Sequence, residues 1–318
     1  MKWTAIVLAA CLAACAEGNA TTARSGKVRV VATTGMVADL AKQVGGDLVE
    51  VEALMGPGID PHLFKADLSD LARLKEADLI LYNGLGLEGK MGDTFVMMAR
   101  QGRQVVAITE DLPRDRLLEP EELEGTYGTV KAMTPEELEG HYDPHIWFDV
   151  ALWAATLPTV AAALGRVDPA NEEAYTQRAN AFAAELRALD DEARKALATV
   201  PKQRRVLLTS HDAFRYFGRA YDLEVHGLQG ISTVQDAGVK DIQDMAAMIS
   251  ERGIKAVFVE TSVNPRAIEA VQQAVRSKGG AVEIGGELFS DAMGDHPPVD
   301  TYIGMVRSNV ETVVNALK

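Results

Sequence analysis

Cysteine is nearly missing from this chain of 318 residues: only Cys11 and Cys15 are present, and none follows them. The sequence beyond residue 15 therefore holds no disulfide and no thiolate metal site. Basic residues are also in deficit, with 32 Lys and Arg against 46 Asp and Glu and a formal charge of −14. A surface that binds nucleic-acid phosphates needs the opposite balance, so nucleic acid is excluded as a partner and a cation is the compatible one. After the first residues no low-complexity tract stands out and no additional transmembrane segment is expected.

What is present is 47% apolar and 25% charged residues, the balance of a soluble globular protein. The length is generous for one core and comfortable for two, which makes a two-lobed monomer the expectation. At the N-terminus Lys2 precedes an apolar run from Trp3 to Ala14 that is too short for a resident membrane helix and reads as an export signal. The run ends Leu12-Ala13-Ala14-Cys15, similar to a bacterial lipobox; Leu8-Ala9-Ala10-Cys11 fits the same pattern. Cys15 is the better lipidation site because it leaves the longer apolar core. Residues 1–14 are then a lipoprotein signal peptide and residues 15–26 a polar tether. The protein would be held to a lipid bilayer, facing the periplasm or the cell exterior.

From Lys27 onward short apolar runs alternate with amphipathic stretches, the rhythm of βα units around a mainly parallel sheet. Strands are expected at Val28 to Ala32, Val49 to Leu54, Leu79 to Tyr82 and Val105 to Ile108, and again at Val206 to Thr209, Leu223 to His226, Ala256 to Val259 and Ala281 to Ile284. Helices fall at Met36 to Val44, Leu68 to Glu76, Asp241 to Glu251 and Pro265 to Lys278. Between the halves a long periodic segment opens at Asp168-Pro169, an N-cap followed by proline at the first helical position, and runs to about Val200. The fold class is therefore α/β, with two Rossmann-like lobes (27–167 and 201–318) joined by one long rigid helix (168–200). The acidic stretch from Leu112 to Tyr142, with Pro113, Pro120 and Pro135, reads as a long loop with short helical pieces.

Six histidines are available, and two share a tripeptide: Asp60-Pro61-His62 and Asp143-Pro144-His145. Proline sets the approach of the chain, while the aspartate can cap a helix or orient the imidazole from behind. His211 lies at the end of a strand, where doubly wound sheets place their ligands, and Asp291 has a comparable place in the second lobe. His141, His226 and His296 have no motif support and read as surface or packing residues. Glu260, at a strand end, is either a partner behind a ligand or a capping acid.

Taken together, Gly58-Ile59-Asp60-Pro61-His62, Tyr82-Asn83-Gly84-Leu85-Gly86-Leu87-Glu88, Asp143-Pro144-His145-Ile146-Trp147, Ser210-His211-Asp212-Ala213-Phe214-Arg215-Tyr216-Phe217, Phe258-Val259-Glu260 and Phe289-Ser290-Asp291 occur in an order that resembles the solute-binding proteins of zinc and manganese ATP-binding-cassette importers. That resemblance implies a metal site of His62, His145, His211 and Asp291 in the cleft between the lobes, a rigid linking helix, a lipid anchor, and delivery to a membrane permease. Dedicated manganese binders of this family often have glutamate where His211 stands, and dedicated zinc binders often have a His-rich loop that this chain lacks. The resemblance thus points to the mixed zinc/manganese branch, with Zn²⁺ or Mn²⁺ as the ion and Fe²⁺ admitted by the same donors. A further role in adhesion is compatible with the family.

Two rival readings remain at this level. Gly84-Leu85-Gly86-Leu87-Glu88-Gly89 spells a dinucleotide fingerprint after a strand, with Glu110 about twenty residues on. A zinc hydrolase is the other, since three protein ligands and a water make a catalytic centre; no His-Glu-x-x-His segment is present, and Asp291 would close the water's position. Ser210-His211-Asp212 is not a triad, because sequence neighbours do not face one another in triad geometry.

Overall fold

The computed structural model describes residues 26–119 and 141–318. Cys11, Cys15, the export segment, nearly all of the tether and the middle of the acidic loop lie outside them.

The first half builds a four-stranded parallel sheet from β1 (Val28–Ala32), β2 (Val49–Ala53), β3 (Leu79–Tyr82) and β4 (Val105–Ala107), ordered β2-β1-β3-β4. Val30 registers with Val51 on one side and Leu79 on the other, so apolar side chains run across one face of the sheet, while the edge strand β2 turns Glu50 and Glu52 to solvent. Helix α1 (Gly35–Gly45) turns Met36, Val37, Leu40, Ala41 and Val44 inward, and Thr34 Oγ1 accepts from Val37 N–H at its start. Helix α2 (Leu68–Glu76) opens with a capping box of Asp67 and Asp70, and α3 (Gly92–Arg100) precedes β4.

Residues 150–167 form an apolar stretch long enough on composition to cross a membrane, yet it is broken into α4 (Val150–Ala154) and α5 (Leu157–Val167) and is mostly buried inside the protein. Thr156 Oγ1 donates to Trp153 O at the break, and Pro158 sits in the first turn of α5, so the apolarity is spent on the core. Helix α6 (Glu172–Leu197) follows. Its 26 residues give a rod of roughly 39 Å. The sequence predicts this helix from Asp168, but Pro169–Asn171 is a separate 3₁₀ turn, because the Asp168 carboxylate accepts from Asn171 Nδ2 and the Tyr175 hydroxyl instead of capping backbone amides.

The second half repeats the pattern with β5 (Val206–His211), α7 (Arg215–Tyr221), β6 (Glu224–Gln229), α8 (Val239–Arg252), β7 (Ala256–Glu260), α9 (Arg266–Ser277), β8 (Glu283–Leu288) and α10 (Tyr302–Leu317). The pairs β5–β6 and β7–β8 are parallel, and β5 lies beside β7. The predicted strand Ala281 to Ile284 is displaced to Glu283–Leu288, which brings its carboxyl end close to Asp291.

Helix α6 buries Tyr175, Ala179, Phe182, Leu186, Leu189, Ala193 and Leu197 on one stripe, packing against α1, α4 and α5 of the first half and α7 and α10 of the second. The largest apolar cluster consequently runs unbroken from Val30, Met36 and Leu40 through Trp153 and Phe182 to Phe214, Tyr302 and Leu317. Tyr302 ties the halves together: its hydroxyl donates to Trp147 O (2.7 Å), its N–H donates to Asp39 Oδ2 (3.1 Å), and its ring stacks on Trp153.

Tyr302→Phe strands the buried Trp147 carbonyl, and a loss of about 1–3 kcal/mol is expected. Scanning calorimetry should show the melting temperature falling by roughly 2–8 °C. An unchanged transition would mean that this hydrogen bond does not hold the halves.

Candidate metal centre

Four elements deliver the site. His62 is carried by the loop after β2, where Asp60 Oδ1 accepts from the His62 N–H (2.8 Å) and fixes the turn. His145 is carried by the segment before α4, and Asp143 Oδ1 accepts from both its backbone N–H (3.0 Å) and its Nδ1 (2.8 Å). His211 is the last residue of β5, so it lies within the strand end rather than just beyond it. Glu260, the last residue of β7, receives His211 N–H on Oε1 (2.9 Å) and His211 Nδ1 on Oε2 (2.5 Å). Asp291 follows β8, and the preceding carbonyl, Ser290 O, accepts from Trp147 Nε1 (2.9 Å).

All four side chains are buried, and one donor atom from each lies within 4.8 Å of the others. The carboxylates behind His145 and His211 accept hydrogen bonds from Nδ1, so the Nε2 atoms of both rings face the centre. His62 Nε2 is 3.3 Å from His145 Nε2 and 3.9 Å from Asp291 Oδ2. Asp291 Oδ1 is 3.5 Å from His145 Nε2, and its Oδ2 is 3.3 Å from His211 Nε2. A cation bonded at ~2.0–2.1 Å to a tetrahedron of donors leaves roughly 3.3–3.4 Å between them; the His62–His145 and His211–Asp291 pairs stand at 3.3 Å, while His145–Asp291 at 3.5 Å and His62–Asp291 at 3.9 Å are wider. His211 Nε2 and both oxygens of Asp291 have no well-formed hydrogen bond from the protein. Buried polar atoms left in this way cost stability unless an ion or water satisfies them, and three nitrogens around a carboxylate suit a divalent transition ion.

The electrostatics agree. Burial, outweighing the attraction of Asp291, pushes the His62 imidazole down to about 3, so it is neutral and ready to donate a lone pair. Burial would also lower His211, but the carboxylates of Glu260 and Asp291 outweigh it and hold its value well above the ordinary one. Burial likewise opposes ionisation of Asp291, and the surrounding histidines, His211 foremost, overcome it and hold the carboxyl well below the usual carboxylate range.

Of the two roles the sequence allows Asp143, the structure shows the second: its Oδ1 holds the His145 ring as well as the backbone of the turn, and it caps no helix. The glycine loop serves the centre indirectly. Buried Glu88 turns back to accept from Asn83 N–H (2.8 Å), Gly84 N–H (3.2 Å) and the Thr33 hydroxyl (2.6 Å), and Asn83 Nδ2 donates to Pro144 O, next to His145. Gly84, at φ +87°, also lies so close to Thr109 that a Cβ would meet its hydroxyl at 2.6 Å. The amides a pyrophosphate would need are filled by the chain's own carboxylate, and this overturns the dinucleotide reading. Asn83, Glu88 and Trp147 were visible only as motif members with no stated task. Among the other histidines, His226 pairs with Glu224 (2.7 Å) and exposed His296 with Asp295 (2.7 Å), while His141 is exposed; all three are surface residues.

Two parallel-sheet halves on one long helix, with four donors converging between strand ends, define a solute-binding protein of the metal-importer class. The chain belongs to the family of the periplasmic zinc-uptake complex component A, whose profile matches residues 30–316. It is 44% identical over 303 residues to the zinc-binding protein TroA of Treponema pallidum, covering 95% of this chain and 92% of that one. With the manganese-binding lipoprotein MntA of Bacillus subtilis it shares 40% over 308 residues, covering 96% and 95%. The solved structure of the Treponema pallidum protein superposes with a TM-score of 0.83 over 92% of this chain and 99% of the other.

Glu260→Gln keeps the shape but loses the charge that orients His211. Competition against a chromophoric chelator should show Zn²⁺ affinity weaker by about 10–100-fold; wild-type affinity would leave Glu260 without a part in the site.

Proposed function

We propose that the protein captures one divalent transition ion outside the cytoplasm, with His62, His145, His211 and Asp291 as ligands, and hands it to an ATP-binding-cassette permease. The observation that carries this reading is the buried three-histidine, one-aspartate cluster, whose donor atoms all lie within 4.8 Å of one another. The ion is cargo. Zn²⁺ and Mn²⁺ are the candidates, supported by the donor set and by the names of the two relatives, one zinc-binding and one manganese-binding. Lipidation at Cys15, with Cys11 as the alternative, would anchor the chain to a bilayer, in keeping with relatives named lipoproteins. The lobes are taken as 27–167 and 201–318 on the linker 168–200, and the working unit as a monomer.

A zinc hydrolase is disfavoured by the same geometry. A catalytic zinc keeps a fourth position for water or substrate, and here Asp291 stands in it with both oxygens free to bind. The shared core around α6 also limits how far the halves can separate, so capture proceeds by local movement at the site more than by wide closure.

Removing a ligand should abolish tight binding. In titration calorimetry His62→Ala and Asp291→Ala should show no tight Zn²⁺ or Mn²⁺ isotherm, and full retention by either would remove that residue from the site. The proton held by His211 in the metal-free protein must leave when the ion binds. Because its value is raised, affinity should climb with pH throughout the range below that raised value, at up to ~tenfold per unit, and level off once His211 deprotonates by itself. The binding enthalpy should accordingly shift with the ionisation enthalpy of the buffer; identical enthalpies across buffers at neutral pH would show that no proton is displaced.

A further inference from the structure

The two Asp-Pro-His tripeptides are put to different uses. In Asp143-Pro144-His145 the carboxylate grips its own histidine through both the backbone and Nδ1, and the turn is held again by Asn83 at Pro144 O and by the Tyr216 hydroxyl at Asp143 O (2.9 Å). In Asp60-Pro61-His62 one oxygen of Asp60 accepts the His62 N–H, while the other accepts the hydroxyl of Thr233, in the loop that follows β6 in the other half. Among the described residues no carboxylate holds His62 Nδ1, and the ring's aromatic neighbours are the other site histidines, His145 and His211, at 5.4 and 6.0 Å between centroids. Its flanks, Ile59 and Leu63, are 42% and 45% exposed, so this turn has one face in water. His62 is also the least buried of the four donors, at 6% against 0–1% for the others.

An ion can leave such a centre only if one donor moves aside first. His145 and His211 are each tied to a carboxylate, and Asp291 is tied through Ser290 to Trp147; His62 is tied through Asp60 to Thr233. Resting on the metal-site reading above, we infer that Asp60 and Thr233 form a catch between the halves that sets the rate of metal release, with His62 as the donor that swings away. Thr233 is a positioning residue, since it acts on the ion only through Asp60 and the His62 turn. Opening the catch frees the turn without touching the other three donors. Loss of the hydroxyl should therefore quicken release and leave capture nearly unchanged.

The test uses the full chain loaded with Zn²⁺ and mixed rapidly with an excess of chelating dye, alongside the reverse experiment in which metal-free protein captures Zn²⁺. Thr233→Val removes the hydroxyl at constant shape, and release should be about 5–50-fold faster, as expected for losing a hydrogen bond to a carboxylate, with capture within about twofold of wild type. Thr233→Ser keeps the hydroxyl and should restore slow release, which a role in packing alone would not produce. A release rate for Thr233→Val equal to wild type, a change confined to capture, or a Thr233→Ser protein as fast as Thr233→Val would each overturn the catch. Wild-type protein that binds neither Zn²⁺ nor Mn²⁺ would instead sink the metal-carrier reading itself.

Discussion

Three imidazoles and a carboxylate have been taken out of water and gathered around one point, and most of the architecture serves to keep them there. Moving such groups from solvent is costly unless each finds a partner. His145 and His211 are compensated from behind, by Asp143 and Glu260. In front, the Nε2 atom of His211 and the oxygens of Asp291 are left for an ion, so the affinity of the centre is prepared during folding. The carboxylates that fix the rings also fix their tautomers, which spares the ion the work of reorganising its ligands.

The fold meets this demand with a four-stranded sheet in one half and two strand pairs in the other, packed around a shared core, with the site at strand ends and the loops beside them. His211 and Glu260 end two strands that lie side by side, and the Glu260 carboxylate reaches both the backbone and the ring of His211. Helix α6 and the cluster around Trp153, Tyr302 and Phe214 run through both halves and keep the separation constant. A joint of this kind suits a carrier that must hold an ion firmly and release it through a small displacement.

Much of the fold was legible beforehand because a parallel sheet buried on both faces demands continuous apolar runs. The strands Val28 to Ala32 and Leu79 to Tyr82 and the helix Leu68 to Glu76 stand where periodicity and caps put them. Boundaries drifted where a side chain chose a tertiary partner over a local one. Asp168 bonds Tyr175 and delays α6, and β8 is displaced by two residues into a stretch with two glycines that carries little strand signal. The glycine loop misled for the same reason: its pattern fits a phosphate cradle, but a buried carboxylate within the loop occupies its amides.

The sequence by itself pointed to the four residues that the fold gathers, His62 and His145 through a repeated Asp-Pro-His tripeptide and His211 and Asp291 through their places near strand ends and the family resemblance. It determined as well the α/β rhythm and the lack of any cysteine beyond residue 15. Only the tertiary structure decided which carboxylate stands behind which imidazole. Asp143 and Asp60 have the same local context, yet the first holds its own histidine and the second reaches Thr233, 173 positions away. Hydrogen bonds between residues so far apart depend on where whole strands and loops come to rest, and no local pattern encodes that.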